Sequence, residues 1–446
     1  MSLEDIRNER IKKLSRLLES GLDPYPASAK RSRQISDVLK SFSKFSGPKA
    51  KTIIAGRIMA KREHGGSMFL DLKDYSGKIQ VYFKKDILKD SYDNAVGILD
   101  IGDFISVTGA GFKTKRDEKT VEVRSWQMLA KSLRTLPEKW EGLKDTEERF
   151  RRRYLDLLMD DEVAERFKTR STIISFLRDE LVKNYFLEVE TPILQPIPGG
   201  AKAQPFVTRH NALGQDFYLR IAPELYLKRL LIGGFEKVFE IGKNFRNEGI
   251  DRDHNPEFTM LELYWAYQDQ RGLMKFTQTL LQKFIPGKYE EITFAEIFRQ
   301  HSGKDWTEID ENELDEIFKK EVRPKIKNPT FVTDYPESIM ALAKFKKDAP
   351  KLTESFQLIM AGIELAKGFS EMNNPLLQRE QMEIQEKAFR AGNKEASRLD
   401  EDFLEALEYG MPPAAGLGIG IDRLAMLLTS IKNIREIVLF PTLRPK

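Results

Sequence analysis

Apolar residues recur along the chain with two different periods. Near the N-terminus they follow helical spacing and predict an amphipathic helix over residues 3–20, with its apolar positions at Ile6, Ile11, Leu14, Leu17 and Leu18. From about residue 51, five short segments alternate apolar and polar residues between turn-forming residues: TIIAGRIMAKR, SMFLDLKD, KIQVYFKK, DFISVTGAGFK and KTVEVRSWQML. Five such strands predict a small barrel of the OB type, and other small barrels fit the pattern nearly as well.

The rest of the chain alternates long helical patterns with apolar, strand-like runs. Helical spacing covers residues 161–184, 222–232, 259–284 and 376–409, and the strand-like runs are KVFEIGKNF, FQLIMAGIEL and GLGIGIDRLAMLL. This alternation predicts one large mixed domain. The expected α+β organisation is an N-terminal helical extension, an OB-fold domain, a linker and a large second domain, over residues 1–50, 51–133, 134–155 and 156–446.

Composition narrows the chemistry. The absence of cysteine excludes disulfides and thiolate chemistry, and four histidines leave little for a zinc site, so any metal would be a hard cation on carboxylates. Residues 1–150 hold 30 Lys and Arg against 22 Asp and Glu, whereas the remainder holds 43 against 47. This basic first part indicates a docked polyanion, with chance imbalance as an equal alternative. Without a membrane-length apolar run or a signal peptide, we expect a cytoplasmic protein and no membrane segment.

The segment GLGIGIDR, residues 416–423, has the glycine content of a dinucleotide-binding loop. Ile421 stands where the third glycine of that pattern is required, which argues against such a loop. The alternating glycines instead predict a strand with one bare face, on which a flat ligand can lie: Gly416, Gly418 and Gly420. A helix would begin at Asp422. Tight packing of a helix on a strand explains the segment equally well by itself.

A second segment, FRNEGIDRDHNPEF at residues 245–258, is densely charged. The strand KVFEIGKNFRNEG ends in a turn there and NPEFTMLELYWAY follows as a return strand or a helix, so residues 246–257 are expected to form a hairpin loop. A solvated turn is the usual explanation of such charge. However, Arg246 offers a fork for phosphate or carboxylate, Glu248 an acceptor for an amino group, and Phe258 a ring face for a base. With His254 as a further phosphate donor, the loop has the parts needed to hold ATP. Its other charges are interpreted as solvated loop: Asp251, Arg252 and Asp253.

Three segments in this order, FLEVETPIL (186–194), FRNEG…HNPEF and GLGIGIDR, resemble the three signature motifs of class II aminoacyl-tRNA synthetases. Four more, PGGAKAQPF, LRIAPELYLKRL, HNPEFTMLELYWAY and GFSEMNNP, are similar to the lysine-specific enzymes of bacterial type. The resemblance covers almost the whole chain. It implies an OB barrel that binds the anticodon, followed by a catalytic domain with an antiparallel sheet flanked by helices. It also implies a homodimer that activates L-lysine with ATP as lysyl-adenylate, releases pyrophosphate and transfers lysine to the 3′ end of tRNA(Lys).

The resemblance also assigns roles to residues of the large domain. Arg246 would be the catalytic residue, because it bridges the substrate carboxylate and the α-phosphate. The ATP-binding residues would be Arg246, Glu248, His254, Asn255, Phe258, Glu364, Gly420 and Arg423. The lysine-binding residues would be Gly200, Glu224, Arg246, Glu262, Tyr264, Phe369, Glu371 and Gly418. Chemistry supports Glu262 and Glu371, since a buried ammonium needs acceptors. Without the motifs, an exposed helix face would be the preferred explanation of Glu262 and Tyr264.

Two sites in this scheme depart from the family or allow a second explanation. Mg²⁺ would bridge the phosphates from Glu364 and Gln357, but Gln357 replaces an acid usual in the family and Lys367 replaces an Asn. Metal number and affinity therefore stay open. In the barrel, the anticodon would contact Phe69, Gln80 and Glu118, with a base stacked on the ring and its edge hydrogen-bonded to the amide. Phe69 as a residue of the barrel core is the alternative.

Two other functions fit parts of the sequence. An enzyme that attaches lysine to a protein would resemble the catalytic domain alone, so the barrel-like first part argues against it. A synthetase-like module that binds RNA and has weak catalysis is compatible with Gln357 and Lys367. The retention of Arg246, Glu248 and Arg423 argues against this second alternative.

Overall fold

A computed structural model describes residues 2–137, 145–249, 251–340 and 342–445. The chain divides into two compact units, Met1–Gly142 and Leu143–Lys446. The linker expected over residues 134–155 falls partly on residues 138–144, which lie outside the described residues; its part after residue 145 is mostly helical. Within the ranges described, none of the helices has both the length and the apolar character needed to cross a membrane.

Five strands close into a barrel in the first unit: β1 (Thr52–His64), β2 (Ser67–Asp74), β3 (Gly77–Lys84), β4 (Phe104–Lys113) and β5 (Lys119–Ala130). Their order around the barrel is β1-β2-β3-β5-β4, with β3 and β5 parallel. Alternate residues of β2 fill the interior, namely Met68, Leu70 and Leu72. The predicted five-stranded barrel is therefore confirmed.

In the described part of the first unit, four α-helices accompany the barrel: α1 (Leu3–Glu19), α2 (Ile35–Lys40), α3 (Lys85–Leu88) and α4 (Asp90–Ile98). Helix α1 confirms the predicted N-terminal helix. Leu17 packs into the barrel core, whereas Leu18, expected on the same face, is 58% exposed. Arg10 anchors the helix because its guanidinium donates hydrogen bonds to the carbonyl groups of Ile101, Ser132 and Arg134.

The strands that the structure describes in the second unit are β6 (Leu187–Glu188), β7 (Leu194–Gln195), β8 (Val207–His210), β9 (Gln215–Leu219), β10 (Lys237–Phe245), β11 (Glu257–Ala266), β12 (Glu290–Thr293), β13 (Thr330–Thr333), β14 (Phe345–Lys346), β15 (Ala349–Thr353), β16 (Ser355–Met360), β17 (Ile363–Ser370) and β18 (Ala414–Gly420). Eight of them form one mixed sheet in the order β12-β13-β16-β17-β18-β11-β10-β6. Its neighbours are antiparallel except for the two edge pairs.

The α-helices described in this unit are α5 (Thr146–Arg151), α6 (Arg153–Met159), α7 (Asp161–Lys183), α8 (Glu224–Ile232), α9 (Gln270–Leu281), α10 (Phe294–Ser302), α11 (Glu311–Ile317), α12 (Pro375–Arg390), α13 (Glu401–Glu408) and α14 (Ile421–Leu428). Helices α7 and α8 confirm two of the predicted helices. The helix expected over residues 376–409 is interrupted between α12 and α13, where Gly392 has a φ of 106°. A left-handed backbone ends a helix.

Of the two alternatives for NPEFTMLELYWAY, the return strand is confirmed, because β11 occupies residues up to Ala266. The helical pattern over residues 259–284 is therefore wrong in its first part. Both faces of this strand are buried. Leu261 and Leu263 face the main core, while Glu262 and Tyr264 face the opposite side. Alternation between apolar and polar residues is therefore weak, and the pattern resembles that of a buried helix.

The main core lies on one side of the sheet, under helices α7, α9 and α14. Leu417 and Ile419 of β18 belong to this core, which leaves the glycines of the strand on the other side. Asp422 ties the start of α14 to two other elements. It accepts hydrogen bonds from the backbone N–H of Thr259 at 2.8 Å and from the guanidinium of Arg170 at 2.9 Å. The glycine strand is thus held rigidly, with its bare face away from the core.

Candidate active site

The register of four central strands aligns site residues in one row. Glu262 of β11 pairs with Gly418 of β18, Gly418 with Lys367 of β17, and Lys367 with Gln357 of β16. Directly opposite residues of antiparallel strands point to the same face of a sheet. These four positions therefore share the face opposite the main core. The next row on that face consists of Tyr264, Gly416, Phe369 and Ser355.

The glycines of β18 provide the bare floor that the sequence predicts. A Cβ atom on Gly416 would lie 2.2 Å from Oε1 of Glu371 and 2.6 Å from Cε1 of Tyr264. On Gly418 it would lie 2.9 Å from the terminal methyl group of Met260. Such distances are too short for any side chain, so the glycines let the side chains of neighbouring strands approach the floor.

Three buried carboxylates lie at one end of this face, here called the acidic end: Glu224, Glu262 and Glu371. Lys228, one turn beyond Glu224 in α8, bridges two of them. Its Nζ lies 2.6 Å from Oε1 of Glu224 and 2.5 Å from Oε2 of Glu371. Oε1 of Glu371 is buried and has no hydrogen-bond partner among the described residues. Sequence reasoning missed Lys228, although its i, i+4 spacing from Glu224 is a known signal for an ion pair.

Burial controls the charge of these groups. Burial, together with the charge of Glu224, raises the pKa of Glu262 to about 8. Burial also raises the pKa of Glu371, although Lys228 opposes this shift. For Lys228, burial alone would lower the pKa, yet the two bridged glutamates raise it, so its ammonium stays charged. The hydroxyl of Tyr264 donates to Oε2 of Glu262 at 3.3 Å, and burial raises its own pKa. The acidic end thus holds more acceptors than Lys228 alone satisfies.

The glycine at position 200 brings the backbone close to this end. Gly200 has a φ of 86°, and a Cβ atom there would lie 2.9 Å from Cβ of Glu224. Phe369 packs nearby, with its ring centroid 5.7 Å from Nζ of Lys228. The structure therefore brings together most of the side chains assigned to lysine binding.

The hairpin loop expected between β10 and β11 is confirmed, and Arg246 stands at its base. The backbone N–H of Arg246 donates to the carbonyl group of Pro256 at 2.9 Å. Its guanidinium lies 5.0 Å from the ring centroid of Phe258, and its Nε has no partner among the described residues. Burial and the charge of Arg423 lower the pKa of Arg246, whereas three glutamates oppose this: Glu248, Glu262 and Glu364.

Asp251 lies in an exposed part of the loop, as expected, with 59% of its side chain exposed, and its carboxylate also organises the hairpin loop. Its Oδ1 accepts hydrogen bonds from the backbone N–H groups of Asp253 and His254, each at 2.7 Å. Its Oδ2 lies 2.9 Å from Nδ1 of His254, which places Nε2 of the ring 3.4 Å from Arg423. Asp253 otherwise forms an exposed ion pair with Arg252. The loop therefore fixes His254 beside Arg423 through its own contacts.

Asn255 is held at the end of the same loop. Its side-chain amide donates to the carbonyl group of Glu257 at 2.6 Å, and its buried Oδ1 has no partner within the described ranges. The carboxylate of Glu257, a residue without an expected role, pairs with Lys243 at 3.1 Å. Glu257 therefore secures the strand pair, while Asn255 keeps an acceptor available.

The side chains expected to hold Mg²⁺ have other partners. Oε1 of Glu364 lies 3.6 Å from the guanidinium of Arg423, and Oε1 of Gln357 accepts a hydrogen bond from the hydroxyl of Tyr335 at 3.0 Å. Burial would raise the pKa of Glu364, yet four cations lower it: Arg423, Lys367, Arg323 and Lys319. No group of three acidic, His or Cys side chains in the described ranges is arranged to hold a metal ion. These donors do not fit a metal ion held by the protein alone.

Of the three barrel residues assigned to the anticodon, Glu118 is exposed and Phe69 half-buried, whereas Gln80 is only 7% exposed. Phe69 points away from the core and stacks on Tyr82, with ring centroids 4.6 Å apart. The alternative of a core residue therefore does not apply. Gln80 donates from Nε2 to Glu118 at 3.1 Å and accepts from the hydroxyl of Thr120 at 2.9 Å. Its amide is thus oriented by the barrel, with part of its hydrogen-bonding capacity already used.

Comparison with known proteins matches both units. The model of tRNA synthetases class II (D, K and N) covers residues 145–444, and that of the OB-fold nucleic acid binding domain covers residues 52–129. The chain is therefore a class II aminoacyl-tRNA synthetase with an OB-fold domain.

Curated relatives define the branch of this class. The lysine–tRNA ligase of Carboxydothermus hydrogenoformans is 45% identical over 488 residues, covering 100% of this chain and 99% of the relative. Those of Pelotomaculum thermopropionicum and Roseiflexus castenholzii are 44% and 43% identical; each alignment covers 100% of this chain, and 96% and 100% of the relative. The chain belongs to the lysine–tRNA ligase family.

Proposed function

We propose that this enzyme activates L-lysine with ATP and transfers it to the 3′ end of tRNA(Lys). The observation that carries the choice of lysine is the acidic end, where Oε1 of Glu371 is buried and lacks a partner among the residues described. An incoming ammonium would supply the missing cation, which makes its burial favourable. An aspartate side chain would instead place a fourth carboxylate among three others.

The reaction needs no protein nucleophile. A carboxylate oxygen of lysine attacks the α-phosphorus of ATP, a new O–P bond forms, and the bond to the leaving pyrophosphate breaks. Arg246 would contact both the carboxylate and the α-phosphate, because its fork can hold two oxygens and its Nε is unpaired within the described ranges. In the second step the terminal ribose hydroxyl of the tRNA attacks the lysyl carbonyl carbon, and AMP leaves. Catalysis is then positioning and charge neutralisation.

The hairpin loop would hold the nucleotide. Because Arg246 lies over one face of Phe258, adenine would stack on the other face, with Arg423 closing the sandwich. Glu248 would accept from the adenine amino group and Gly420 would leave space for the base. His254, whose imidazole is fixed by Asp251, would reach the outer phosphates. Asn255 keeps its side-chain oxygen available as an acceptor.

The remaining parts of the family scheme are proposals of the same kind. On the amino acid side, Gly200 and Glu224 would hold the α-amino group, and Phe369 and Gly418 would line the side-chain slot. The family implies Mg²⁺ as the cofactor, and we expect it to accompany ATP rather than to occupy a site built by the protein. We further propose a cytoplasmic homodimer, which sedimentation at working concentration would test.

Pyrophosphate exchange into ATP, run with each amino acid in turn, tests the substrate. We expect exchange with lysine alone. Exchange that depends on another amino acid would refute the assignment, and no exchange with any would favour an RNA-binding module. Charging of a tRNA(Lys) transcript then separates this enzyme from one that attaches lysine to a protein.

The barrel's part can be tested separately with Phe69→Ala. Loss of one base stack costs roughly 1–3 kcal/mol, so we expect tRNA charging at low tRNA concentration to fall about tenfold or more. Pyrophosphate exchange should not change, because it does not involve tRNA. Tyr75→Ala, which removes an 80% exposed ring elsewhere on the barrel unit, is the matched control. If exchange falls together with charging, the role of Phe69 is structural.

A further inference from the structure

Lys367 is the unusual cation of the site. Its position in the register lies between Gly418, on the floor of the site, and Gln357. The side chain is partly buried, and within the described ranges its ammonium has no hydrogen bond or ion pair. Holding a partly desolvated ammonium without a partner is costly, so this arrangement favours an anion that arrives from outside.

The surroundings favour an anion over a metal ion. Glu364 of β17 supplies a carboxylate next to Lys367, and Arg423 already faces it. Gln357 of β16 accepts from Tyr335 and stands opposite Lys367 in the register. A divalent cation at this place would meet one shared carboxylate and several positive charges. For phosphate oxygens the same surroundings are favourable, because the positive charges attract them and only one carboxylate repels them.

We propose that Lys367 binds a phosphate oxygen of ATP directly and supplies positive charge that a metal ion held by the protein would otherwise supply. The proposal rests on the proposed function for the identity of the nucleotide. Phosphate is favoured over the carboxylate of lysine because Lys367 neighbours Gln357 and lies near Glu364, on the side assigned to the phosphates. Arg246, in contrast, is the cation placed for the carboxylate. Lys367 is thus a specific binding residue of this chain.

Calorimetry with ATP in excess EDTA tests the proposal without catalysis. The full chain should bind metal-free ATP, and Lys367→Met should weaken this binding at least about tenfold, the effect of losing one charge-assisted hydrogen bond. Adenosine, which lacks phosphates, should bind both proteins equally. Lys367→Arg keeps the charge and should stay within about threefold of the parent. Lys351→Met, on exposed β15, is the matched control and should change nothing.

A reversal provides the second test. The pair Gln357→Glu with Lys367→Asn removes the ammonium and adds a carboxylate, so it should bind metal-free ATP poorly and recover when Mg²⁺ is added. Titration with Mn²⁺ in the presence of a non-hydrolysable ATP analogue, followed by electron paramagnetic resonance, should show tighter Mn²⁺ binding than the parent. Equal Mn²⁺ affinity would overturn the proposal.

Two further outcomes would also overturn it: failure of the parent to bind metal-free ATP, or equal binding of metal-free ATP by the parent and Lys367→Met. A third would be a loss of affinity in Lys367→Met that affects lysine but does not affect lysinol, the analogue that lacks the carboxylate. The last outcome would assign the ammonium to the amino acid carboxylate. Failure of the proposed function is distinguishable, because it would appear in the parent as absent lysine-dependent pyrophosphate exchange, whatever happens to metal-free ATP.

Discussion

The two ends of one sheet face are built on opposite principles. The acidic end is largely neutralised from within, since Lys228 bridges Glu224 and Glu371 at 2.5–2.6 Å. The other end, here called the basic end, holds Arg246, Lys367 and Arg423, and among the described residues its one ion pair joins Arg423 to Glu364. The acidic end therefore needs a small cation to complete a network that already exists. The basic end needs an anion to form one.

This difference would orient the two proposed substrates relative to each other. A lysine molecule placed with its ε-ammonium at Glu262 and Glu371 would point its carboxylate towards the basic end, where the phosphates of ATP would also lie. Attraction in a site of low effective dielectric constant is strong enough to make the reverse orientation unfavourable. The bare β18 strand between the ends, with Gly416 and Gly418, leaves room for the ligand to span them.

Among the substitutions considered, Arg246→Ala in the basic end should reduce activity most. Removing the cation that meets charge formed in the transition state should lower pyrophosphate exchange about a thousandfold, by analogy with loss of a preorganised donor. Binding of tRNA, measured by filter retention, should stay unchanged. Arg252→Ala is the matched control, because this arginine lies in the same loop and pairs with Asp253 at the surface. Exchange within tenfold of the parent in Arg246→Ala would contradict the assigned role.

Glu371→Gln tests the acidic end, because it keeps the shape of the side chain and removes its negative charge. We expect the KM for lysine to rise about a hundredfold, as for loss of a hydrogen bond to a charged group in a buried site. The KM for ATP should change little, which separates the two ends. Glu405→Gln, on the exposed side of α13, is the control. Equal effects on both substrates would indicate structural damage around Lys228 instead.

The floor between the ends can be changed without altering any charge. Gly416→Ala would place its methyl group 2.2 Å from Oε1 of Glu371, so that carboxylate must move. We expect the KM for lysine to rise about tenfold, with ATP affinity unchanged. Gly97→Ala adds the same methyl group in open space and serves as the control. An unchanged KM for lysine would mean that lysine binding does not depend on the position of the Glu371 carboxylate.

The contrast between the ends also explains what the sequence predicts well. The hairpin loop, the glycine strand and the barrel follow from local patterns of charge, glycine spacing and alternation, and the structure confirms them. Functional polar residues that are buried are harder to identify from the sequence. For Glu262 and Tyr264 the sequence leaves a strand and a helix open, because β11 is covered on both faces and its polar residues do not mark a solvent side.

Lys228 and Asp251 show the same limit in other settings. A lysine in an apolar helix resembles a solvated residue until tertiary packing places it between two carboxylates. An aspartate in a charged loop is expected at the surface, where Asp251 indeed lies, and only the structure shows that the loop also closes on its carboxylate. Both depend on contacts that only the folded chain creates. Lys367 differs, because its departure from the family pattern is visible in the sequence and only the surroundings of its ammonium required the structure.

The smallest expected effect is a pH dependence confined to the acidic end. Glu262 has a pKa of about 8 in the free protein and must be ionised to pair with an ammonium, so lysine binding at pH 7 releases a proton. Lysine affinity should therefore rise several-fold between pH 7 and 8.5, while ATP affinity stays nearly constant. Calorimetry in two buffers of different ionisation enthalpy measures the released proton directly.

Glu262→Gln should remove much of the rise in affinity and of the proton release, although its lysine affinity will be lower throughout. The part that remains would come from Glu371, because burial also raises the pKa of that carboxyl group. If the parent releases no proton at pH 7, Glu262 is already ionised before lysine arrives. The acidic end would then carry a buried charge without a partner, as the basic end does with Lys367. In that case the two ends would differ only in sign, and the internal pairing by Lys228 would not distinguish them.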